Sequence, residues 1–215
     1  MRSRVPIALI RAAFIAITIP VGVHAAWTFE AFLGSAWSVP SPLSIHQYGE
    51  ERLHFTARYA TKPLVESPYY AWRIAKWSGE QAWEFELVHH KLYLENPPDE
   101  VQHFEVSHGY NLITINRVWV RRGFIWRGGV GVVATHPETK IRGKKLPWGD
   151  GLNGFYVSGP TIQLAIGRKF PLRGGLFAVV EGKWTASYAT IPVRDGNAYV
   201  PNMALHWLIG LGYDF

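Results

Sequence analysis

Residues 203–215 read MALHWLIGLGYDF. Met203, Leu205, Trp207, Ile209, Leu211, Tyr213 and Phe215 occupy every second position, with Ala204, His206, Gly210, Gly212 and Asp214 between them. A period of two, with one apolar side and one small or polar side, describes a strand set between two different environments. In a soluble sandwich the apolar side would face a core. Here the strand ends the chain on an aromatic, Phe215, the mark by which outer-membrane barrels are recognised for assembly.

Working back from this stretch, the same alternation predicts strands near 174–190, 153–170, 124–137, 101–119, 81–94 and 69–77. Their connections alternate in length. Ser78-Gly79-Glu80, Arg121-Arg122-Gly123 and the stretch from Pro171 to Gly174 are short, whereas 95–100, 138–152 and 191–201 are longer. Short turns on the periplasmic side and longer loops outside are expected of membrane barrels. Backbone groups in lipid must all be paired, so the sheet has to close on itself. With both ends of the chain in the periplasm the strand number is even. The expected fold is therefore an all-β, eight-stranded antiparallel up-and-down transmembrane β-barrel of the outer membrane. Trp27–Ser38 is taken as the first strand, and Glu51–Ala60 then pairs beyond the membrane in a first loop containing Pro40, Pro42, Pro63 and Pro68; the reverse assignment remains open.

Composition agrees with that reading. Apolar residues make up 48% and charged ones 18%, and the 10 Trp and 10 Tyr suit a boundary where an apolar body and a polar tip are both satisfied. The absence of cysteine excludes a disulfide framework and a thiolate site. Residues 1–25 have a basic start at Arg2 and Arg4, an apolar stretch from Val5 to Val23 and a small-residue end, the layout of a cleavable signal peptide; residues 26–215 would be the barrel. Arg2, Arg4 and Arg11 lie in that leader, so the formal charge of +6 falls to +3 without it, which gives no argument for nucleic acid. The expected partners are outer-membrane lipid and the barrel assembly machinery during biogenesis.

An eight-stranded barrel is too narrow for a pore and fills its interior with side chains. Alternation puts Glu84, Glu86 and His90 on one face of 81–94. It puts His103, Glu105, Ser107 and Asn111 opposite Phe104, Val106 and Tyr110 on the next strand, Glu181, Lys183, Thr185 and Ser187 on one face of 174–190, and His206 on the last strand. If all these polar faces are internal they lie side by side. Two readings stand. One is a charge-balanced plug in which Lys183, Arg73 and the histidines neutralise the glutamates. The other is a site in which carboxylates and histidines hold a metal or act as acid and base. Ser107 and His108 are neighbours on a strand, so their side chains are expected on opposite faces. His89, Lys91 and Tyr93 near an outer strand end read either as an interfacial belt or as contacts to lipopolysaccharide head groups. Lys140, Arg142, Lys144 and Lys145 read either as a solvated loop or as a clamp on the same phosphates.

Several stretches together carry a family resemblance: Phe85–Tyr93 (FELVHHKLY), Phe104–Asn116 (FEVSHGYNLITIN), Gly128–Glu138 (GGVGVVATHPE), Val157–Gly167 (VSGPTIQLAIG), Glu181–Tyr188 (EGKWTASY) and Asn202–Gly212. In this order, and with Pro68-Tyr69-Tyr70, they resemble the lipid A oxidase family of outer-membrane barrels. The resemblance implies oxidation of the proximal glucosamine of lipid A to an aminogluconate unit with dioxygen as co-substrate, and a divalent metal or other cofactor as the electron route. The candidate catalytic residues are Glu86, Glu105, His108, Glu181 and Lys183. Candidate contacts to lipid A are His89, Lys91, Tyr93, Asn111, Lys140 and Arg142, and candidate metal ligands are Glu86, His90, Glu105 and His206. His136 and Glu138 also fall on polar positions of the family pattern. The family carries an acidic residue where this chain has His108, which puts a catalytic role for that position in question.

Overall fold

The computed structural model describes residues 26–65, 67–147, 149 and 154–215; the leader expected over 1–25 lies outside them. Thirteen strands follow one another among these residues: β1 (Trp27–Ser38), β2 (Ser41–Gln47), β3 (Leu53–Ala57), β4 (Tyr59–Ala60), β5 (Tyr70–Ser78), β6 (Gln81–Leu94), β7 (Val101–Arg121), β8 (Phe124–Thr135), β9 (Glu138–Ile141), β10 (Lys144–Lys145), β11 (Tyr156–Pro171), β12 (Leu176–Val193) and β13 (Gly196–Asp214). Eight of them, β1, β5, β6, β7, β8, β11, β12 and β13, form a closed antiparallel ring. Closure is made by β1, which pairs with β5 on one side and β13 on the other, with Phe29 opposite Tyr213 and Leu33 opposite Ile209. Trp27–Ser38 is thus the first barrel strand.

The alternation read from the last strand holds around the ring. Trp83, Ile115, Val130, Leu164, Val180 and Ile209 are all half or more exposed. Their neighbours Glu84, Thr114, Gly129, Gln163, Glu181 and Leu208 belong to the opposite face, and the five with side chains are at most 2% exposed. An apolar outside around a polar inside is the inverse of a water-soluble barrel and is the construction of an outer-membrane barrel. Among the described residues no helix is long and apolar enough to cross a membrane; the strands cross.

The short turns sit together at one end with the start of β1 and the end of β13, where the Phe215 amide donates to Trp27 O at 2.8 Å. Arg122 and Gly123 at one of these turns have φ of +53° and +77°, the paired left-handed conformation that matches the twist of a two-residue hairpin. The other end departs from expectation. The segment 191–201 is no open loop: β12 runs to Val193 and β13 starts at Gly196, so only Arg194 and Asp195 turn. The ladder continues past the lipid because β2 and β3 cover it, β2 pairing with Gly196–Tyr199 and β3 with β2. The predicted strand Glu51–Ala60 divides into β3 and β4, both beyond the membrane, and β4 joins the upper end of β6. The expected loop 138–152 contains the β9–β10 hairpin, which docks on the start of β7.

The interior has three layers. At the turn end Ala75, Ala82, Val118 and Ile125 close the lumen. Above them lies a charged layer in which Arg73 meets Glu30 at 2.5 Å and Glu181 at 2.9 Å, Arg127 meets Glu84 at 3.1 Å and Glu181 at 2.8 Å, and Lys183 meets Glu86. Asn116 adds a donor to Glu84, and Gln163 adds one to Glu86. Above this the filling turns apolar, with Phe32, Val88, Leu92, Phe104, Val106, Tyr110 and Leu112 in one cluster with Leu43, Ile45, Val193 and Val200.

Two expectations follow. Val130→Arg, on the outer face near mid-height, should cost about 2–4 kcal/mol in urea unfolding from lipid vesicles, whereas an ordinary wet surface would leave stability nearly unchanged. Arg73→Met should cost about 3–5 kcal/mol in the same assay, because it strands carboxylates that have no route to water.

Candidate functional site

Carboxylates inside a protein are stable only if cations and amide donors replace water. The charged layer meets this condition for each of its carboxylates, Glu30, Glu84, Glu86 and Glu181. Glu86, Glu181 and Lys183, three of the catalytic candidates, lie in it at no more than 2% exposure, with apolar layers above and below. This arrangement is a sealed electrostatic plug that no lipid or solvent molecule reaches. His90 and His206 sit just above it with ring centroids 5.1 Å apart. His206 is held by the Tyr69 hydroxyl at 2.7 Å and by Thr185 at 2.8 Å. Glu105 is elsewhere, so the set Glu86, His90, Glu105 and His206 is not assembled, and these four do not bring their ligand atoms together.

The expectation that Glu105, Ser107 and Asn111 face the lumen is corrected. Phe104, Val106 and Tyr110 point inward, and Glu105, Ser107 and Asn111 lie on the outer face of β7. The physical reason is a change of solvent along the strand. Below the boundary the outside is hydrocarbon and apolar residues face out. Above it the outside is wet, the lumen is the dry side, and the apolar positions turn in.

At this change of polarity the wall carries a cleft of about 600 Å³. Leu87, Ile113 and Ala134 line its membrane side, and His89, Asn111, His108 and His136 line the rest, with Tyr70 and Phe155 as aromatic flanks. Asn111 stands about ten residues along β7 from its turn-end residue Arg121. At ~3.3 Å per residue and a tilt near 40° this is a climb of about 25 Å, the height of the hydrocarbon band. The cleft therefore opens where the acyl chains of the outer leaflet meet their head groups.

Three features of the chain build it. Opposite β6 the register slips: His90 pairs with Tyr110, but Leu92 pairs with Val106, so Ser107, His108 and Gly109 form a bulge. A bulge breaks alternation and re-aims side chains. That is why Ser107 and His108, expected on opposite faces, converge on one carboxylate, with His108 Nδ1 2.9 Å and Ser107 Oγ 3.3 Å from Glu138 Oε1. Both Ser107 and Glu138 meet the same nitrogen of His108, at 3.2 and 2.9 Å, so the three are not a serine-hydrolase relay. Gly109 has φ +130°, and a Cβ there would fall 2.1 Å from the Asn111 amide, so only glycine allows the bulge and the Asn111 rotamer together. The third feature is the imidazole of His89. It stacks on Tyr70 with centroids 4.8 Å apart, and its Nδ1 donates to Asn111 Oδ1 at 2.8 Å. Its Nε2 is buried with no hydrogen-bond partner among the described residues. A buried ring nitrogen left unsatisfied is a costly atom unless a ligand meets it.

The remaining candidates separate. Lys91 is fully buried and its ammonium donates to Val65 O and Ser67 O, fastening the first loop to the wall. Tyr93 is buried between Lys62 and Lys91. Arg142 reaches Glu51 O at 2.8 Å and Gln47 at 3.3 Å, tying β9–β10 to the β2–β3 hairpin. These three hold loops and do not face the cleft. Lys140 lines a second cleft of about 350 Å³ with His103, Lys145 and Glu138, and Glu138 is linked to the first cleft through its 2.9 Å contact with His108. Of two residues outside the candidate sets read from the residues alone, His136 lines the first cleft and Glu138 stands beside it against His108. Their signal was the polar run Thr135-His136-Pro137-Glu138 directly after an apolar outward face.

No protein-family model and no curated protein matches the sequence. Among solved structures the chain is similar to the outer membrane protein AlkL in lipid bilayers, at 14% identity over 100% of this chain and 97% of that one, with a TM-score of 0.49. It is also similar to Ail, the attachment invasion locus protein of Yersinia pestis, at 11% identity over 89% of this chain and 99% of that one (TM-score 0.41). The outer membrane protease OmpT from Escherichia coli is similar at 9% identity over 88% and 97% (TM-score 0.43). Likenesses at this level carry nothing about activity. The architecture itself, a closed eight-stranded ring with a greasy exterior, is that of a bacterial outer-membrane β-barrel protein.

Proposed function

We propose that the protein is an enzyme that modifies lipid A in the outer leaflet. In this reading it acts at the wall cleft between β6, β7 and β8, and its reaction is the dioxygen-dependent oxidation of the proximal glucosamine implied by the family resemblance. The observation that carries this reading is the cleft's position and polarity. Its lower side, Leu87, Ile113 and Ala134, suits acyl chain, and its upper side, His89, Asn111 and His136, suits sugar. Lys140 and Lys145 in the adjoining cleft supply cationic groups that suit a sugar phosphate.

The chemistry asks for a base. Conversion of the anomeric carbon to the acid level breaks one O–H and one C–H bond. Two electrons and two protons pass to dioxygen, which leaves as hydrogen peroxide, and water then opens the lactone. In this reading the seated sugar displaces the cover over His89 Nε2, which then takes the hydroxyl proton. Asn111 fixes the ring with Nδ1 protonated, and the Tyr70 stack fixes its plane. The interior residues Glu86, Glu181 and Lys183 act in this reading on stability alone.

Lipid A from cells carrying and lacking the gene, grown in air and compared by mass spectrometry, is expected to differ by one oxygen atom on the proximal sugar. His89→Ala should lower conversion by roughly 10²–10⁴-fold, with the heat-stable folded form still visible on a gel. An unchanged lipid A profile removes this reading. It would leave a non-enzymatic barrel that binds a surface partner, which is favoured by the sheet of β2, β3 and the β12–β13 hairpin standing above the bilayer.

A further inference from the structure

We propose that His108, His136 and Glu138 form a binding site for one divalent transition-metal ion at the mouth of the wall cleft. One ligand atom from each lies within 4.8 Å of the others. Around an ion with bonds of ~2.1 Å, neighbouring ligand atoms stand roughly 3–4 Å apart, so only small side-chain rotations separate this geometry from a bound one. Two imidazoles and one carboxylate suit first-row transition ions better than the oxygen-seeking calcium and magnesium, and three protein ligands leave coordination positions open.

The surroundings have the features of a built site. The backbone couples the segments that bear the ligands: His136 N donates to Gly109 O at 3.0 Å, and Glu138 is the cross-strand partner of Glu105. His136 Nε2 lies 3.3 Å from Gly149 O, and donation there makes Nδ1 the lone-pair nitrogen, the outer-shell arrangement common to metal-bound histidines. Ser107 Oγ reaches both Glu105 at 2.9 Å and Glu138 at 3.3 Å. A Cβ on Gly154 would fall 2.0 Å from His136 Nε2, so the chain keeps this flank open for the ring. Charge gives an independent argument. Glu105 and Glu138 face each other on paired strands, where like charges are unfavourable. Among the described residues their ion-pair partners are imidazoles, His103 at 3.6 Å and His108 at 2.9 Å. A dication beside Glu138 relieves that repulsion.

Such an ion supplies Lewis acidity, and with iron or cobalt a redox couple, beside His89. The inference thus deepens the lipid A reading of the same cleft and rests on it only for what the metal is for. The test uses untagged full-length protein, refolded in detergent and freed of metal by chelator, then dialysed against Co²⁺. About one equivalent should be retained, with the visible absorption of imidazole-bound cobalt; Zn²⁺ should displace it, and a large excess of Ca²⁺ or Mg²⁺ should not. His136→Ala and Glu138→Gln should each weaken retention at least ~10–100-fold, and His54→Ala, on the far hairpin, should leave it unchanged. The cobalt spectrum of the unmutated protein keeps the test decisive if a variant misfolds. No retained cobalt in folded protein, free displacement by Ca²⁺, or indifference to both ligand variants overturns the site. Bound metal with unchanged lipid A would remove the enzymatic reading and leave the site standing; altered lipid A without metal would do the reverse.

Discussion

An unpaired peptide group in hydrocarbon costs several kcal/mol, and a sheet with two free edges would expose a row of them. The register between β1 and β13, from Thr28 opposite Asp214 to Ser38 opposite Ala204, removes both edges at once. The other large features depend on it. Closure at eight strands makes a lumen just wide enough for side chains, so the protein has an interior to fill rather than a channel. The filling at mid-height is ionic, and its members are tolerable only because they satisfy one another: Glu30, Glu84, Glu86 and Glu181 against Arg73, Arg127 and Lys183, with Asn116 and Gln163 bridging.

The second constraint is the water boundary, which the chain crosses without interrupting its strands. Along β7 the outward positions run from Trp119 and Ile115 to Asn111 and then Glu105. The inward positions run from Asn116 to Tyr110 and Val106. Polarity is exchanged between the two faces while backbone pairing continues. In the proposed reading the candidate groups gather at the crossover because only there can one cleft turn Leu87 and Ile113 toward lipid and His89 and His136 toward a head group.

The fold was legible from residues 203–215 because two-residue alternation against lipid leaves little freedom in the assignment, and the strand count followed from turns such as Arg121-Arg122-Gly123. The lumenal set of β6 and β12 was legible for the same reason. The outer site was not. The rule that polar means inside holds only below the boundary, and nothing local in Phe104–Asn111 marks where the boundary falls. The slip opposite His90 was also hidden, since a bulge is a property of two strands and only one of them, with Gly109, carries a trace of it. His136 stood at the end of the strand expected over 124–137, and Glu138 opened the stretch 138–152 expected as a loop. In fact β9 returns to β7 and brings Glu138 beside Glu105.

The pairing of the first strand with the last has a consequence for how the molecule is made. Phe29 cannot meet Tyr213 until nearly the whole chain exists, so the contact that completes the ring is also the one of greatest sequence separation, and such contacts form late. Until then the growing sheet carries two sticky margins, β1 and whichever strand was added most recently, and each is a template for pairing with another copy. The molecule is thus most exposed to aggregation just before its final strand arrives, and a shortened chain would be held in that state.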